Sequence, residues 1–131
     1  MSVQYQTQRD LLGVQKPALR KRIRTEGWGA AFLAKRGRNG HWGRGFYQPK
    51  WTSTHYTLLD LRLLELPPQN KEVQKTMELL LQNEKGKDGG MNPSGGISES
   101  DVCINGMFLN YASYFRTDED ALKSVVDFIL S

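Results

Sequence analysis

The chain has 131 residues, 38% of them apolar and 24% charged, with a formal net charge of +4. A chain of this length makes one domain rather than a two-domain enzyme, and its composition is globular, not disordered or fibrous. It has no run of 18 apolar residues for a membrane span, residues 1–10 lack a secretion signal's apolar core, and the single Cys103 excludes an internal disulfide and fits a reducing, cytoplasmic setting.

Read in chain order, the pattern predicts helices joined by glycine loops. Val3, Leu11, Leu12 and Val14 mark a short helix ending near Gly13. Pro17 suits the first turn of a second helix, 17–24, where its missing N–H is not needed. Trp28 to Lys35 reads as a third helix, apolar at Trp28, Ala31, Phe32 and Leu33, stopped by Gly37-Arg38-Asn39-Gly40. An aromatic loop follows, with His41, Trp42, Phe46, Tyr47 and Trp51. Ser53 or Thr54 is expected to cap a helix over 54–66, apolar on most of its circumference and so buried on nearly all sides. Pro67-Pro68 ends it. Asn70 caps 71–83, where Val73, Met77, Leu80 and Leu81 form a narrower stripe. After a second glycine loop, 86–96, Ser98 or Ser100 is expected to cap another all-apolar helix over 101–115. Thr117 or Asp118 caps the last, with Asp118, Glu119 and Asp120 favourably placed in its first turn. No segment alternates with the period of a strand.

The order repeats. Phe32-Leu33-Ala34-Lys35-Arg36 followed by Asn39-Gly40-His41-Trp42 matches Leu79-Leu80-Leu81-Gln82-Asn83 followed by Asp88-Gly89-Gly90-Met91, and Val126 to Leu130 begins a third copy. Periods near 48 residues signal stacked helical pairs. Half-exposed helices alternating with all-apolar ones predict two concentric layers, as in an α/α toroid, of which this chain holds about two and a half repeats. The reading is one all-α domain over 1–131: basic N-terminal helices over 1–36, an inner and an outer helix over 37–83, and a glycine loop, inner helix and last outer helix over 84–131.

Phe32-Leu33, then Gly37, then Gly40-His41-Trp42-Gly43 resembles the Gln-Trp repeat of squalene and terpenoid cyclases, with Lys35, Arg36 and Gly37 standing where the Gln is expected. Tyr47 to Thr54, Leu58-Leu59-Asp60-Leu61, Leu64 to Pro68, Tyr5 to Gly13 and Glu26 to Gly29 are similar to prenyltransferase/squalene-cyclase-type repeat proteins. The resemblance implies an α/α toroid, here a partial ring, and a long apolar ligand such as an isoprenoid. Trp42, Trp51, His55, Tyr56, Met107 and Tyr111 would line its site. It also implies a zinc site at Asp101-Val102-Cys103, the Asp-x-Cys of protein prenyltransferases, although no His follows Cys103 and His55 lies one repeat earlier. Otherwise Cys103 reads as a small buried hydrophobe and Asp101 as a cap.

The residues make a weaker case for catalysis by this chain alone. Thr117-Asp118-Glu119-Asp120 departs from the Asp-x-Asp-Asp acid of cyclases and sits where acids serve a helix dipole. No Asp-rich magnesium motif is present, and no third partner joins Ser53 and His55 in a triad. Uncovered inner helices would expose more apolar surface than monomers usually tolerate, so a homodimer is expected, unless a further C-terminal half supplies the cover. A non-catalytic oligomerisation or protein-interaction module is therefore the alternative function. Charge adds a third. Residues 1–50 carry eleven Lys/Arg against Asp10 and Glu26, a surplus of nine, and the rest carry a deficit of five. Such asymmetry fits two mutually attracting halves, or a nucleic-acid surface for which no recognised motif is present.

Overall fold

Prolines, glycines and left-handed residues cut the described residues into seven helices. The computed structural model describes residues 1–93 and 96–131. The helices are α1 (Ser2–Asp10), α2 (Pro17–Arg22), α3 (Gly27–Ala34), α4 (Thr54–Leu63), α5 (Lys71–Asn83), α6 (Val102–Tyr114) and α7 (Glu119–Leu130). Among the described residues there is no strand beyond one isolated bridge, Lys85 to Met91, and no helix long and apolar enough to cross a membrane.

Helices α4 and α6 end alike. Glu65 and Arg116 adopt left-handed backbone, φ 61° and 56°. Each end is then closed by a long six-residue bond, Leu66 N–H to Leu61 O and Thr117 N–H to Ala112 O, both 3.1 Å, which satisfies helix-terminal carbonyls. The preceding loops also repeat. Gly37 N–H donates to His41 O and Gly86 N–H to Gly90 O, both at 2.7 Å, and Gly40 and Gly89 sit at φ 85° and 88°, a region that favours glycine.

A residue just past each glycine turn, Trp42 or Met91, is buried and clasped by the helix that follows. Trp42 N–H donates to Thr54 Oγ1 (3.0 Å), and the same hydroxyl lies 3.3 Å from Trp42 O. In the second copy, Met91 N–H donates to Asn105 Oδ1 (2.6 Å) and Asn105 Nδ2 donates to Met91 O (3.0 Å). Thr54 and Asn105 are fully buried, so these bonds satisfy main-chain groups that water does not reach.

Around these clasps lies one core. Leu58 and Leu61 of α4 meet Phe108, Tyr111 and Ala112 of α6, with Val73, Met77 and Leu80 from α5 and Leu122 and Val125 from α7. Thus α5 and α7 bury one stripe each, as their periodicity predicts. In packing order, α1 and α2 lie with α3, α3 with α4, α4 with α6, and α6 with α7. The first helices cover the end of α4. Ser2 Oγ donates to Leu64 O (2.6 Å), Gln6 Nε2 to Leu63 O (2.8 Å), Arg20 Nε to Glu65 O (3.3 Å) and Tyr114 Oη to Leu66 O (2.7 Å). The Glu65 carboxylate takes Arg9 and Arg20, each at 3.0 Å, so part of the basic surplus is spent within the chain.

Several expectations need correction. The first helix stops at Asp10, and Leu11, Leu12 and Val14 are solvent-exposed. Trp28 is 74% exposed, because α3 buries only Gly29. A Cβ on Gly29 would collide with Ile23 O, so α3 meets the residue that ends α2 through this small residue, and Trp28 points outward while Phe32 and Leu33 pack partly on the core. Helices α4 and α6 are not covered all round, since Leu63 and Val102 are each 59% exposed. Asp101, not a serine, caps α6, accepting from Ile104 N–H at 2.9 Å. Ser100 instead donates from its N–H and its Oγ to the Asp88 carboxylate, both at 2.7 Å. Ser53 is the N-cap residue of α4 but makes no side-chain cap bond.

Candidate functional site

The aromatic loop and the first turns of α4 gather a set of rings around His55. Phe46, Tyr47, Tyr56 and Tyr111 have ring centroids 5.1 to 5.6 Å from the imidazole, and three of the four meet it edge-on, the geometry their quadrupoles favour. His55 Nδ1 lies 3.0 Å from Tyr111 Oη. Either tautomer satisfies that pair, and Nε2, also buried, has no partner. Burial alone pushes the His55 pKa down to about 4, so the ring is neutral at physiological pH. Burial likewise raises Tyr111.

The rings grow more exposed towards the surface. Tyr47 Oη and Tyr56 Oη are 2.9 Å apart, and the Trp51 ring lies tilted against Tyr56 with the centroids 4.9 Å apart. Burial, the Tyr47 bond and the neighbouring Cys103 raise the Tyr56 pKa to about 12. Trp51 stands at φ 74°, a strained backbone for a bulky residue. Its ring is 67% exposed, with Lys50 Nζ 5.0 Å from the centroid. From Tyr56, one face of α4 continues through Leu59 to the exposed Leu63. On α6, Val102 and Cys103 are exposed and Met107 half-buried. A Cβ built on Gly106 meets nothing within 4 Å, so this part of α6 faces open space.

Of the residues singled out in the sequence, Trp51, Tyr56, Cys103 and Met107 therefore sit on one partly open face of α4 and α6, with His55 and Tyr111 beneath it. Trp42 does not reach that face. It is 2% exposed and spends its indole N–H on Phe32 O at the end of α3, 2.6 Å away, so it braces the helix before it. Cys103 is exposed, not the buried small hydrophobe of the alternative reading. Asp101 is committed to the α6 cap, and among the described residues no group of three or more His, Cys, Asp or Glu is placed to hold a metal ion. Asp118 to Asp120 open α7, as helix-dipole acids do.

Sequence reasoning missed three features. The Thr54 and Asn105 clasps carry no motif, although both are buried polar residues near a helix start. The Glu65 cluster joins Arg9, Arg20 and Tyr114 across long separations. A groove of about 650 Å³ runs between the basic α2 region and the start of α5. No protein-family model matches this chain, and searches of curated proteins and of solved structures also returned no match.

Proposed function

We propose that this chain is a helical-repeat module of the α/α-toroid type that works by association, with the open face of α4 and α6 covered by a second copy. The observation that carries this reading is the exposure of Trp51 just before α4, of Leu63 on α4 and of Val102 on α6, two helices that otherwise form the core. Scattered exposed apolar residues are ordinary; a grouped set flanked by polar surface marks an interaction site. Charge supports a second copy as the cover. Along the packing order the molecule runs from the basic segment around α2, through the apolar α4/α6 face, to α7, where Asp118, Glu119, Asp120 and Asp127 outnumber Lys123. A twofold axis through the middle lays each basic end over the partner's acidic end, which is the self-complementarity an isologous dimer requires.

Light scattering on the purified chain tests this. The expected mass is a dimer's at micromolar concentration, and the double variant Trp51→Ser, Val102→Ser is expected to raise the dissociation constant tenfold or more. Both positions are exposed, so the fold tolerates the change. A monomer of 14.9 kDa at every concentration overturns the proposal.

A second reading takes a long apolar ligand, such as an isoprenoid, along the same face. The open space at Gly106 and the exposed rings of Trp51 and Tyr56 favour it. It predicts that geranylgeranyl diphosphate raises the melting temperature by mass action, and that Trp51→Ser abolishes the rise. Unchanged melting leaves association as the function.

A further inference from the structure

The groove beside α5 lies away from the α4/α6 face and is built differently. Its lining includes three cations, Lys21, Arg24 and Lys71, with Thr25 and the amide side chains of Gln69 and Asn70. Leu33 and Pro67 supply an apolar wall. Its volume, about 650 Å³, is that of a small-molecule site.

The cations are not spent inside the chain. The other arginines of this region are: Arg20 holds Glu65 and Tyr114, Arg22 pairs with Glu26 at 2.7 Å, and Arg36 donates to Thr76. Among the described residues, Lys21, Arg24 and Lys71 make no ion pair with any carboxylate. Glu72 is the single acidic residue of the lining. Like charges converging on one concavity raise its potential and draw in a counter-ion. The wall at the start of α5 adds the positive end of a thirteen-residue helix, whose Val73 N–H is already held by Asn70 Oδ1 at 3.0 Å.

We propose that this groove is a binding site for a small phosphorylated organic anion. Lys21, Arg24 and Lys71 hold the phosphate. The carbon part lies against Leu33 and Pro67. Three cations against one carboxylate suit a dianion better than a monoanion, and a groove of about 650 Å³ suits a compact ligand better than a polymer. Glu72 weakens the site and sets its affinity.

The test is titration of the full chain with inorganic phosphate and with phenyl phosphate at constant ionic strength, followed by backbone amide NMR shifts. Saturable shifts are expected at Thr25, Leu33, Asn70 and Lys71, with phenyl phosphate binding several-fold tighter than inorganic phosphate because of the apolar wall. The variant Lys21→Gln, Arg24→Gln is expected to weaken phenyl phosphate binding at least tenfold, and Glu72→Gln to tighten it. All three residues are exposed, and an unchanged spectrum away from the groove reports an intact fold. Non-saturable shifts, equal shifts with chloride, or affinity unchanged in Lys21→Gln, Arg24→Gln overturns the proposal. Tighter binding of single-stranded DNA that depends equally on Arg38, Arg44 and Lys50 also overturns it, in favour of an extended nucleic-acid surface.

Discussion

The two glycine loops and the helices they lead into share a hydrogen-bonding plan and differ in filling. Both loops turn on a glycine at positive φ, both carry a buried apolar residue just past it, and both have that residue's amide and carbonyl held by one polar side chain of the following helix. The first uses Trp42 with Thr54, the second Met91 with Asn105. The repeat is therefore a constraint on backbone hydrogen bonding, met by whichever side chain reaches. The helix ends differ in the opposite way: Glu65 and Arg116 share a backbone conformation, but only the end of α4 lies beneath α1 and α2, whereas Arg116 is exposed.

The largest expected effect breaks a clasp. Asn105→Ala leaves the buried Met91 amide and carbonyl without partners and opens a cavity; at about 1–3 kcal/mol per stranded group, a loss of about 4 kcal/mol is expected by chemical denaturation. Thr54→Val keeps the shape of its side chain and strands the Trp42 groups less completely, so about 2 kcal/mol is expected. A negligible loss in either variant would show that its loop is not held by the clasp.

The next contrast is in pH. His55 occupies the α4 position that corresponds to the exposed Gly106 of α6. Its pKa falls from 6.5 to about 4 on folding, so between those values the unfolded chain binds more protons and stability rises with pH. The contribution is complete above pH 6.5 and lost as the pH falls towards 4, amounting to about 3 kcal/mol in all. His41, lowered by partial burial, adds in the same direction. The difference between the wild-type and His55→Gln stability curves is expected to slope across this window; parallel curves would mean that the imidazole is not dry.

The helix ends give the smallest and most discriminating pair. Arg116→Gly removes left-handed strain at an exposed site and is expected to stabilise by about 0.5 kcal/mol. Glu65→Gly relieves the same strain but strips Arg9, Arg20 and Tyr114 of their shared carboxylate, and a net loss of about 1 kcal/mol is expected. The same sign in both variants would show that the α1–α2 cover contributes nothing to the end of α4.

Much of the helical order was legible because its signals are local. Pro17, Pro67 and Asn70 mark helix limits through backbone chemistry, and the stripe of Val73, Met77 and Leu80 names its buried face directly. Positions that depend on a neighbour were not legible. Trp28 points outward because Gly29 makes the contact with Ile23. Leu63, Val102 and Cys103 lie on helices whose periodicity is apolar nearly all round, and such a pattern cannot say which side is left uncovered. The rings about His55 were readable as a cluster in the loop and α4, but Trp42 separates from them because its indole turns back to Phe32. The groove joins residues of two distant segments, and neither carries a motif.

The central claim is that the α4/α6 face is covered by another copy of this chain. Cys103 lies on that face and is exposed in the single chain, so its reaction with a maleimide reads the cover directly. A labelling rate that falls several-fold between nanomolar and high micromolar protein, and recovers in Trp51→Ser, Val102→Ser, is the predicted result. A rate that stays constant over that range would contradict it.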